Sequence, residues 1–266
     1  MRLSAGLRAL WAYRSFVASS IKGELKGRYA RSRLGAAWLV LHPLAFAAVL
    51  AFALAEVLSS RVPGAGTKGA YALYLLAGLS SWNLFSEIVN RSTTIFIDNA
   101  ASLKRIAFPR MCLPAIVAGS ALVNQGLLLG AVVVVATLLG SPPNLAWLNL
   151  PLVIAIVAAL AFGLGILLGV INTFARDVGQ VVSVVMQFWF WLTPIVYTVD
   201  ALPERLRWIA AVNPFTPLAS ANQQAIAFAR PPDYASLVYP LVLSAALVFV
   251  ALRVFRRASP ELVDAL

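Results

Sequence analysis

The residues that could carry catalytic chemistry are few in this chain and lie far apart. His42 is the only histidine and Cys112 the only cysteine, so the sequence offers no His/Cys set for a metal ion and no internal disulfide. His42 could relay a proton, but a lone histidine without a nearby acid is more typical of a structural hydrogen bond or a polar group in a pore. We therefore predict no catalytic residue and no metal site.

The acidic residues and the glycines exclude two further kinds of chemistry. An ion-coupled pump usually needs a carboxylate in the middle of a span, whereas here the acids lie at the ends of apolar stretches or between them. No GxxxxGK[ST] phosphate loop occurs. Gly163, Gly165 and Gly169 have the wrong spacing for a dinucleotide fingerprint, and the pair Gly165 and Gly169 favours close helix packing. Energy for uphill transport must therefore come from a partner.

The elements that position these residues are membrane helices. From Met111 to Ala175 the chain contains no Lys, Arg, Asp, Glu or His. A hydrocarbon core about 30 Å thick takes roughly 20 residues as a helix, so this stretch fits two crossings joined by a turn at Gly140–Asn144. The whole chain is 61% hydrophobic and 12% charged, with a mean hydropathy of +0.85. This composition excludes a soluble globular protein.

We predict an all-α integral membrane protein with six transmembrane helices. Residues 1–33 carry apolar residues at helical spacing with basic residues beside them, which indicates an amphipathic helix at the membrane interface. Residues 199–233 should form short re-entrant helices, because each proline removes an amide donor and free backbone groups are costly in lipid. The predicted spans are residues 34–56, 69–90, 112–139, 147–172, 178–198 and 234–253, with a loop at 91–111.

The basic residues predict the orientation of these spans. A net charge of +11 could indicate a nucleic-acid partner, but sixteen of the Lys and Arg residues fall in the predicted inner segments and five in the outer ones. This bias follows the positive-inside rule and places both termini in the cytoplasm. We predict a multi-pass membrane protein that binds no nucleic acid.

Five groups of residues follow one another along nearly the whole chain. They are Lys26-Gly27-Arg28-Tyr29 continuing to Trp38, Gly78 to Glu87, Phe108-Pro109-Arg110 continuing to Pro114, Arg176-Asp177-Val178-Gly179-Gln180, and Thr193-Pro194 with Tyr197 and Asn213-Pro214. In this order they resemble the membrane subunit of the polysaccharide-exporting ABC transporters of the ABC-2 type. The resemblance implies a homodimer of this chain with two copies of a separate cytoplasmic ABC ATPase, which binds ATP and Mg²⁺.

The resemblance also implies roles for two segments. Residues 199–233 look like the outer gate, and the loop at 91–111 looks like the segment that docks on the ATPase. Ordinary positive-inside charge is the alternative explanation of this loop, although Phe108 beside the rigid Pro109 favours docking. The expected coupling residues are Asn99, Lys104, Arg105, Phe108, Pro109 and Arg110.

Aromatic and basic residues suit a lipid-linked polysaccharide as substrate. Aromatic faces stack on the C–H face of a pyranose, so we expect pore-lining residues among Trp38, Phe46, Trp82, Phe85, Phe188, Trp191 and Tyr197. An interfacial aromatic belt or helix packing is the alternative explanation. Arginine forks match phosphate oxygens, so the lipid diphosphate could meet Lys26, Arg28, Arg31 and Arg33. Contact with anionic membrane lipids explains these charges equally well.

The resemblance therefore implies the permease subunit of an ATP-driven exporter of lipid-linked polysaccharide, such as O-antigen or capsule, in the inner membrane of a bacterium. A related ABC-2 exporter of teichoic acid or of a small amphiphile is the alternative within transport. An integral membrane transferase should carry clustered acids or a His/Asp pair on one loop, which this sequence lacks. A channel without energy coupling would need no docking loop.

Overall fold

The fold is a bundle of long helices. A computed structural model describes residues 11–29, 35, 37–58, 68–105 and 109–264, and every regular element within these ranges is helical. In chain order the α-helices are α1 Arg14–Tyr29, α2 Ala37–Leu58, α3 Lys68–Asp98, α4 Ala100–Arg105, α5 Cys112–Leu138, α6 Leu150–Phe174, α7 Val178–Leu192, α8 Arg207–Val212, α9 Phe215–Ala227, α10 Tyr234–Ala258 and α11 Glu261–Asp264. The predicted all-helical fold class is confirmed.

Length and composition make this a multi-pass membrane protein. Among the described helices, four are long and apolar enough to cross a bilayer: Gly69–Asp98, Cys112–Leu138, Leu145–Phe174 and Tyr234–Ala258. Val40–Ala53 and Val178–Leu192 are shorter apolar helices. The four long helices overlap the second, third, fourth and sixth predicted spans, and the two shorter ones lie within the first and fifth.

The hairpin of α5 and α6 turns where the sequence predicts. Gly140 adopts a φ of +78°, a left-handed conformation that favours glycine. Pro142 and Pro143 follow it, and the Asn144 side chain then accepts a hydrogen bond of 2.8 Å from the Ala146 amide to start a short 3-10 helix, Leu145–Asn149. The chain thereby reverses direction between two apolar helices.

Helix α3 lies at the centre of the bundle and packs most extensively on α6. Glycines permit the close approach, because a Cβ at Gly165 would lie 2.7 Å from Ser92 Cβ and one at Gly169 would lie 2.4 Å from the Ser92 carbonyl oxygen. Gly163 likewise permits α6 to approach α10 closely, because a Cβ at Gly163 would lie 2.8 Å from the Leu247 carbonyl carbon. The packing role predicted for Gly165 and Gly169 is confirmed, and Gly163 adds a close approach that was not predicted.

Several helix ends differ from the predicted span boundaries. Helix α3 continues to Asp98, past the predicted end at residue 90, because Arg91 pairs with Glu87 one turn earlier and Thr94 donates to Asp98 at 2.7 Å. Helix α7 ends at Leu192 rather than at residue 198, because Pro194 cannot donate the next helical hydrogen bond. Helix α10 runs to Ala258 instead of 253.

The two ends of the bundle differ in structure. We call the end that carries residues 99–105, 109–111, 175–177 and 256–264 the basic end, and the end that carries residues 139–149 and 193–233 the short-helix end. At the basic end a separate apolar cluster, which includes Phe96, Leu103, Phe255 and Leu262, joins α4 and α11 to the bundle. At the short-helix end two 3-10 turns, Val199–Ala201 and Glu204–Leu206, precede α8 and α9.

Candidate functional site

A cavity of about 800 Å³ lies between α2, α3 and α7. Its walls combine aromatic rings with uncharged polar groups. The aromatic residues are Phe46, Trp82, Phe188, Phe190 and Trp191, and the polar residues are His42, Asn83, Ser86, Asn90, Ser183 and Gln187. We call this the central cavity.

Helical spacing brings these side chains together. On α3, Asn83, Ser86 and Asn90 follow one another at intervals of three and four residues, which places them on one face. Ser183, Gln187 and Trp191 do the same on α7, and His42 and Phe46 do so on α2. Three helices therefore each contribute a mixed polar and aromatic face to one cavity.

A second cavity of about 560 Å³ continues the polar surface toward the basic end. It shares His42, Asn83, Ser86 and Asn90 with the central cavity and adds Trp38, Glu87, Arg91, Asn124 and Gln125. The Oδ1 atoms of Asn90 and Asn124 are buried and have no hydrogen-bond partner within the described part of the chain. Buried amides normally find partners, so this surface has spare capacity for water or a hydroxyl-rich ligand.

A network of partly buried charged side chains lies beside the second cavity, on the side that faces the basic end. Arg91 on α3 pairs with Glu87 at 3.1 Å and with Glu24 on α1. Helix α5 completes the network, because Ser120 donates to Glu24 at 2.8 Å and Asn124 donates to Glu87 at 2.9 Å. Since the arginine and both carboxylates have partners, α1 can be held against the bundle without an isolated buried charge.

A cluster of buried rings backs the central cavity. Phe85 is 0% exposed and packs on Trp189 and Phe215 at centroid distances of 5.2 and 5.0 Å. Trp82 is 7% exposed and meets the Phe215 ring edge-on at 5.2 Å. The cluster joins α3 and α7 to α9.

One asparagine fixes the position of this cluster. Asn213 accepts hydrogen bonds from the Trp189 indole at 2.9 Å and from the Phe215 amide at 3.0 Å. Its own amide donates to Thr193 Oγ1 at 2.9 Å. Asn213 therefore ties the end of α7 to the start of α9 through a buried side chain.

The structure separates the aromatic residues that the sequence groups together. Phe46, Trp82, Phe188 and Trp191 meet in the central cavity, and Trp38 lines the adjoining one. Phe85 lies in the core instead. Tyr197 lies at the short-helix end, where its hydroxyl donates to the Trp191 carbonyl at 2.9 Å.

Sequence reasoning missed most of the polar half of the cavity. Five polar residues line the cavity but are not among the predicted site residues: Asn83, Ser86, Asn90, Ser183 and Gln187. Their spacing of three or four residues within apolar helices was the available signal.

Those expected coupling residues that the structure describes lie at the basic end. Asn99 interrupts the helix between α3 and α4 and donates its side-chain amide to the Ile95 carbonyl at 2.8 Å. Lys104 is exposed on α4, Arg105 is the last residue of α4, and Arg110 donates to Ser259 Oγ at 3.1 Å. The Pro109 carbonyl accepts from the Cys112 amide at 2.8 Å, while Phe108 lies outside the described residues.

The basic residues considered for a lipid diphosphate are only partly described. Lys26 is exposed on α1, and Arg28 lies in the last turn of the same helix. Arg31 and Arg33 lie outside the described residues. These positions place Lys26 and Arg28 on the helix that Glu24 joins to α3.

Comparison with known proteins gives consistent matches. The family model described as ABC-2 type transporter matches residues 16–226. Two proteins of Klebsiella pneumoniae, each named O-antigen export system permease protein RfbA, are 33% identical over 196 residues, which is 72% of this chain and 72% of each relative. A protein of the same name from Myxococcus xanthus is 26% identical over 262 residues, or 98% of both chains.

Proposed function

The chain belongs to the ABC-2 type transporter family, and from this premise we propose that it is the permease subunit of an ATP-driven exporter of lipid-linked polysaccharide of the O-antigen type. The names of the three relatives support the substrate class. The chain is a transporter subunit and carries out no catalysis itself.

The central cavity is the observation that carries this proposal. Rings such as Phe188 and Trp191 can stack on the apolar faces of sugar rings, while Asn83 and Gln187 can donate to and accept from sugar hydroxyls. At about 800 Å³ the cavity is within the usual range of ligand sites, roughly 300–1,000 Å³. Polar groups without formal charge, beside aromatic rings, would bind a glycan weakly enough for it to pass through the subunit.

We assign the path of the glycan to the rings that line cavities. Phe46, Trp82, Phe188 and Trp191 would face the glycan in the central cavity, and Trp38 would meet it closer to the basic end. The buried Phe85 would act only by supporting Trp82 and Phe215. Tyr197 would hold the end of α7 through its bond to the Trp191 carbonyl.

The membrane arrangement follows from charge and helix length. We propose six crossings of the bacterial inner membrane with both termini in the cytoplasm, which places the basic end inside and the short-helix end outside. Helices α8 and α9 would form the outer gate within residues 199–233. Lys26, Arg28, Arg31 and Arg33 would then lie at the inner face, where the lipid diphosphate or anionic lipids could bind them.

Energy would come from a separate ABC ATPase that binds ATP and Mg²⁺. We propose that two copies of this ATPase dock on a homodimer of the chain through α4 and residues 106–110. Leu103 supports this assignment, because its burial in the apolar cluster at the basic end would let α4 pass movement to α3 and α10. Lys104 stays exposed on α4 and available to a partner.

Transport by inverted membrane vesicles tests this proposal. Vesicles that contain the chain and its ATPase should move lipid-linked polysaccharide inward only when ATP is supplied. Phe108→Ala combined with Arg110→Ala should abolish this transport while ATP hydrolysis continues, because the docking segment would no longer transmit movement. Arg257→Ala is the matched control, since it removes an exposed charge from the same end outside α4. Transport at the wild-type rate by the double variant would refute the assignment of the docking segment.

A further inference from the structure

A separate cavity of about 830 Å³ lies at the short-helix end. Its walls come from the start of α3, residues 194–200, α9 and residues 227–231. No described residue lines both this cavity and the central cavity. We call it the outer pocket, and its size is again that of a ligand site, roughly 300–1,000 Å³.

Two hydroxyl groups in the wall of the outer pocket lack partners. Thr198 Oγ1 and Thr216 Oγ1 are buried, and neither forms a hydrogen bond within the described part of the chain. A threonine hydroxyl can donate one hydrogen bond and accept two, and buried groups of this kind normally find partners. Both residues line the pocket from different segments, so a molecule inside it could satisfy them together.

The pocket offers further polar groups around an aromatic ring. Ser220 and Gln224 lie one turn apart on α9, and Phe228 follows at its end. The Phe228 ring packs on Tyr74 at a centroid distance of 6.0 Å, and Tyr74 is held by a bond of 2.9 Å from its hydroxyl to the Tyr197 carbonyl. The contact with Tyr74 thus holds the Phe228 ring in the wall of the pocket.

The geometry of α9 against α3 also keeps the pocket in shape. The Gln223 side chain donates to the Ile195 carbonyl at 3.1 Å, which joins α9 to the segment after α7. Gly78 leaves room for this amide, because a Cβ there would lie 2.9 Å from Gln223 Nε2. These contacts hold the walls in place without using the hydroxyls of Thr198 and Thr216.

Two charged residues of opposite sign complete the lining. Within the described residues, no hydrogen bond or ion pair engages the Asp200 carboxylate or the Arg230 guanidinium. Ala229, just before Arg230, has a φ of +54°, a conformation that alanine seldom adopts. The Arg230 amide donates to the Gln224 carbonyl at 2.9 Å, so this strained turn folds the arginine back toward α9.

We propose that the outer pocket binds a short segment of the exported glycan, a saccharide of a few sugar units. Hydroxyl, amide, carboxylate and guanidinium groups around one aromatic wall match the hydroxyls and C–H faces of sugar rings. One acid and one base give no net attraction for a phosphate group, and an acyl chain would leave the two threonine hydroxyls and the charged side chains of the lining without partners. The inference rests on the proposed function for its substrate class, and it assigns a glycan site on the outer side of the central cavity.

Saturation-transfer NMR on the purified permease–ATPase complex in nanodiscs tests this site. The probe is lipid-free oligosaccharide, released by mild acid from the lipopolysaccharide of the strain that encodes the chain. Thr198→Val combined with Thr216→Val keeps the side-chain shapes and removes both hydroxyls. We expect this double variant to bind the oligosaccharide about tenfold more weakly.

Thr137→Val is the matched control, because its exposed hydroxyl bonds to the Val133 carbonyl of its own helix at 2.8 Å and Thr137 does not line the pocket. Binding by this control should equal that of the wild type. Thermal unfolding without glycan gives a second measurement. The double variant should unfold at the same temperature as the wild type or higher, since it loses two unpartnered buried hydroxyls.

The outcomes separate this inference from the proposed function. Equal binding by the double variant and the wild type would overturn the outer-pocket site while leaving the exporter intact. Absence of oligosaccharide binding by a wild-type complex whose ATPase is stimulated by the lipid-linked polysaccharide would do the same. A wild-type complex that shows neither binding nor stimulation would overturn both.

Discussion

Two sets of aromatic residues lie side by side in this molecule and differ in exposure. The core set comprises Phe85, Trp189 and Phe215, whose rings pack on one another at 5.0 and 5.2 Å. The cavity set comprises Phe46, Phe188 and Trp191, of which Phe188 is 66% and Trp191 55% exposed. The core set joins helices, whereas the cavity set leaves its rings free to bind.

Helix geometry produces this difference from neighbouring positions. Phe188, Trp189, Phe190 and Trp191 follow one another on α7, and successive helical residues point about 100° apart. Phe188 and Trp191, three positions apart, therefore share the exposed side. Trp189 points to the opposite side, where Asn213 accepts its indole hydrogen. Residues of the same type thus lie in the core or in the cavity wall according to whether α9 supplies a packing partner.

The largest effect should come from removing a ring of the core set. Phe85→Ala should lower the free energy of unfolding by about 3–5 kcal/mol, because it opens a cavity between Trp82, Trp189 and Phe215. Thermal unfolding and yield of the purified protein measure this loss. Phe188→Ala is the control, and its unfolding temperature should stay close to that of the wild type. Equal losses in the two variants would contradict the division into two sets.

A smaller loss should follow from removing the asparagine that anchors the core set. Asn213→Ala leaves the Trp189 indole and the Phe215 amide without their acceptor, which should cost about 1–3 kcal/mol of stability. Asn213→Asp keeps this acceptor and should recover part of the loss. Thermal unfolding compares the two variants. If aspartate and alanine destabilise the protein equally, the hydrogen bonds from Trp189 and Phe215 do not anchor the cluster.

The smallest effect on stability, and a specific effect on transport, should come from the cavity set. Trp191→Ala should reduce export of lipid-linked polysaccharide about two- to tenfold, which is the magnitude of one lost stacking contact. Its unfolding temperature should hardly change, because the ring is largely exposed. Trp191→Phe should retain more transport than Trp191→Ala. Reduced stability with unchanged export would place Trp191 in the core set.

The sequence predicted the membrane helices because their signals are local. The uncharged run from Met111 to Ala175 and the turn at Gly140 sufficed for the α5–α6 hairpin, and the spacing of Gly165 and Gly169 sufficed for close packing. The end of α3 at Asp98 was missed. Its polar last turns look like a loop in the sequence, although Arg91 finds partners on its own helix and on α1.

Which aromatic residues are exposed could not be predicted from the sequence, because burial of a ring depends on segments that are distant along the chain. Phe85 is buried by Phe215, which is remote along the chain, and no local pattern distinguishes it from Trp82. The outer pocket also depends on distant segments, since Thr198 and Thr216 come to line one pocket only when α9 packs on α3. The sequence predicted short helices in this region from Pro214 and Pro217, but it could not show what they enclose.

ATP hydrolysis by the purified complex is the most direct test of ATP-driven polysaccharide export. The chain is co-expressed with the ABC ATPase that we propose as its partner, and hydrolysis is measured with and without lipid-linked polysaccharide. We expect the ATPase to co-purify and the glycolipid to stimulate hydrolysis, while Trp191→Ala weakens the stimulation. A complex that contains no ATPase and shows no hydrolysis would leave the exporter without an energy source and contradict its central claim.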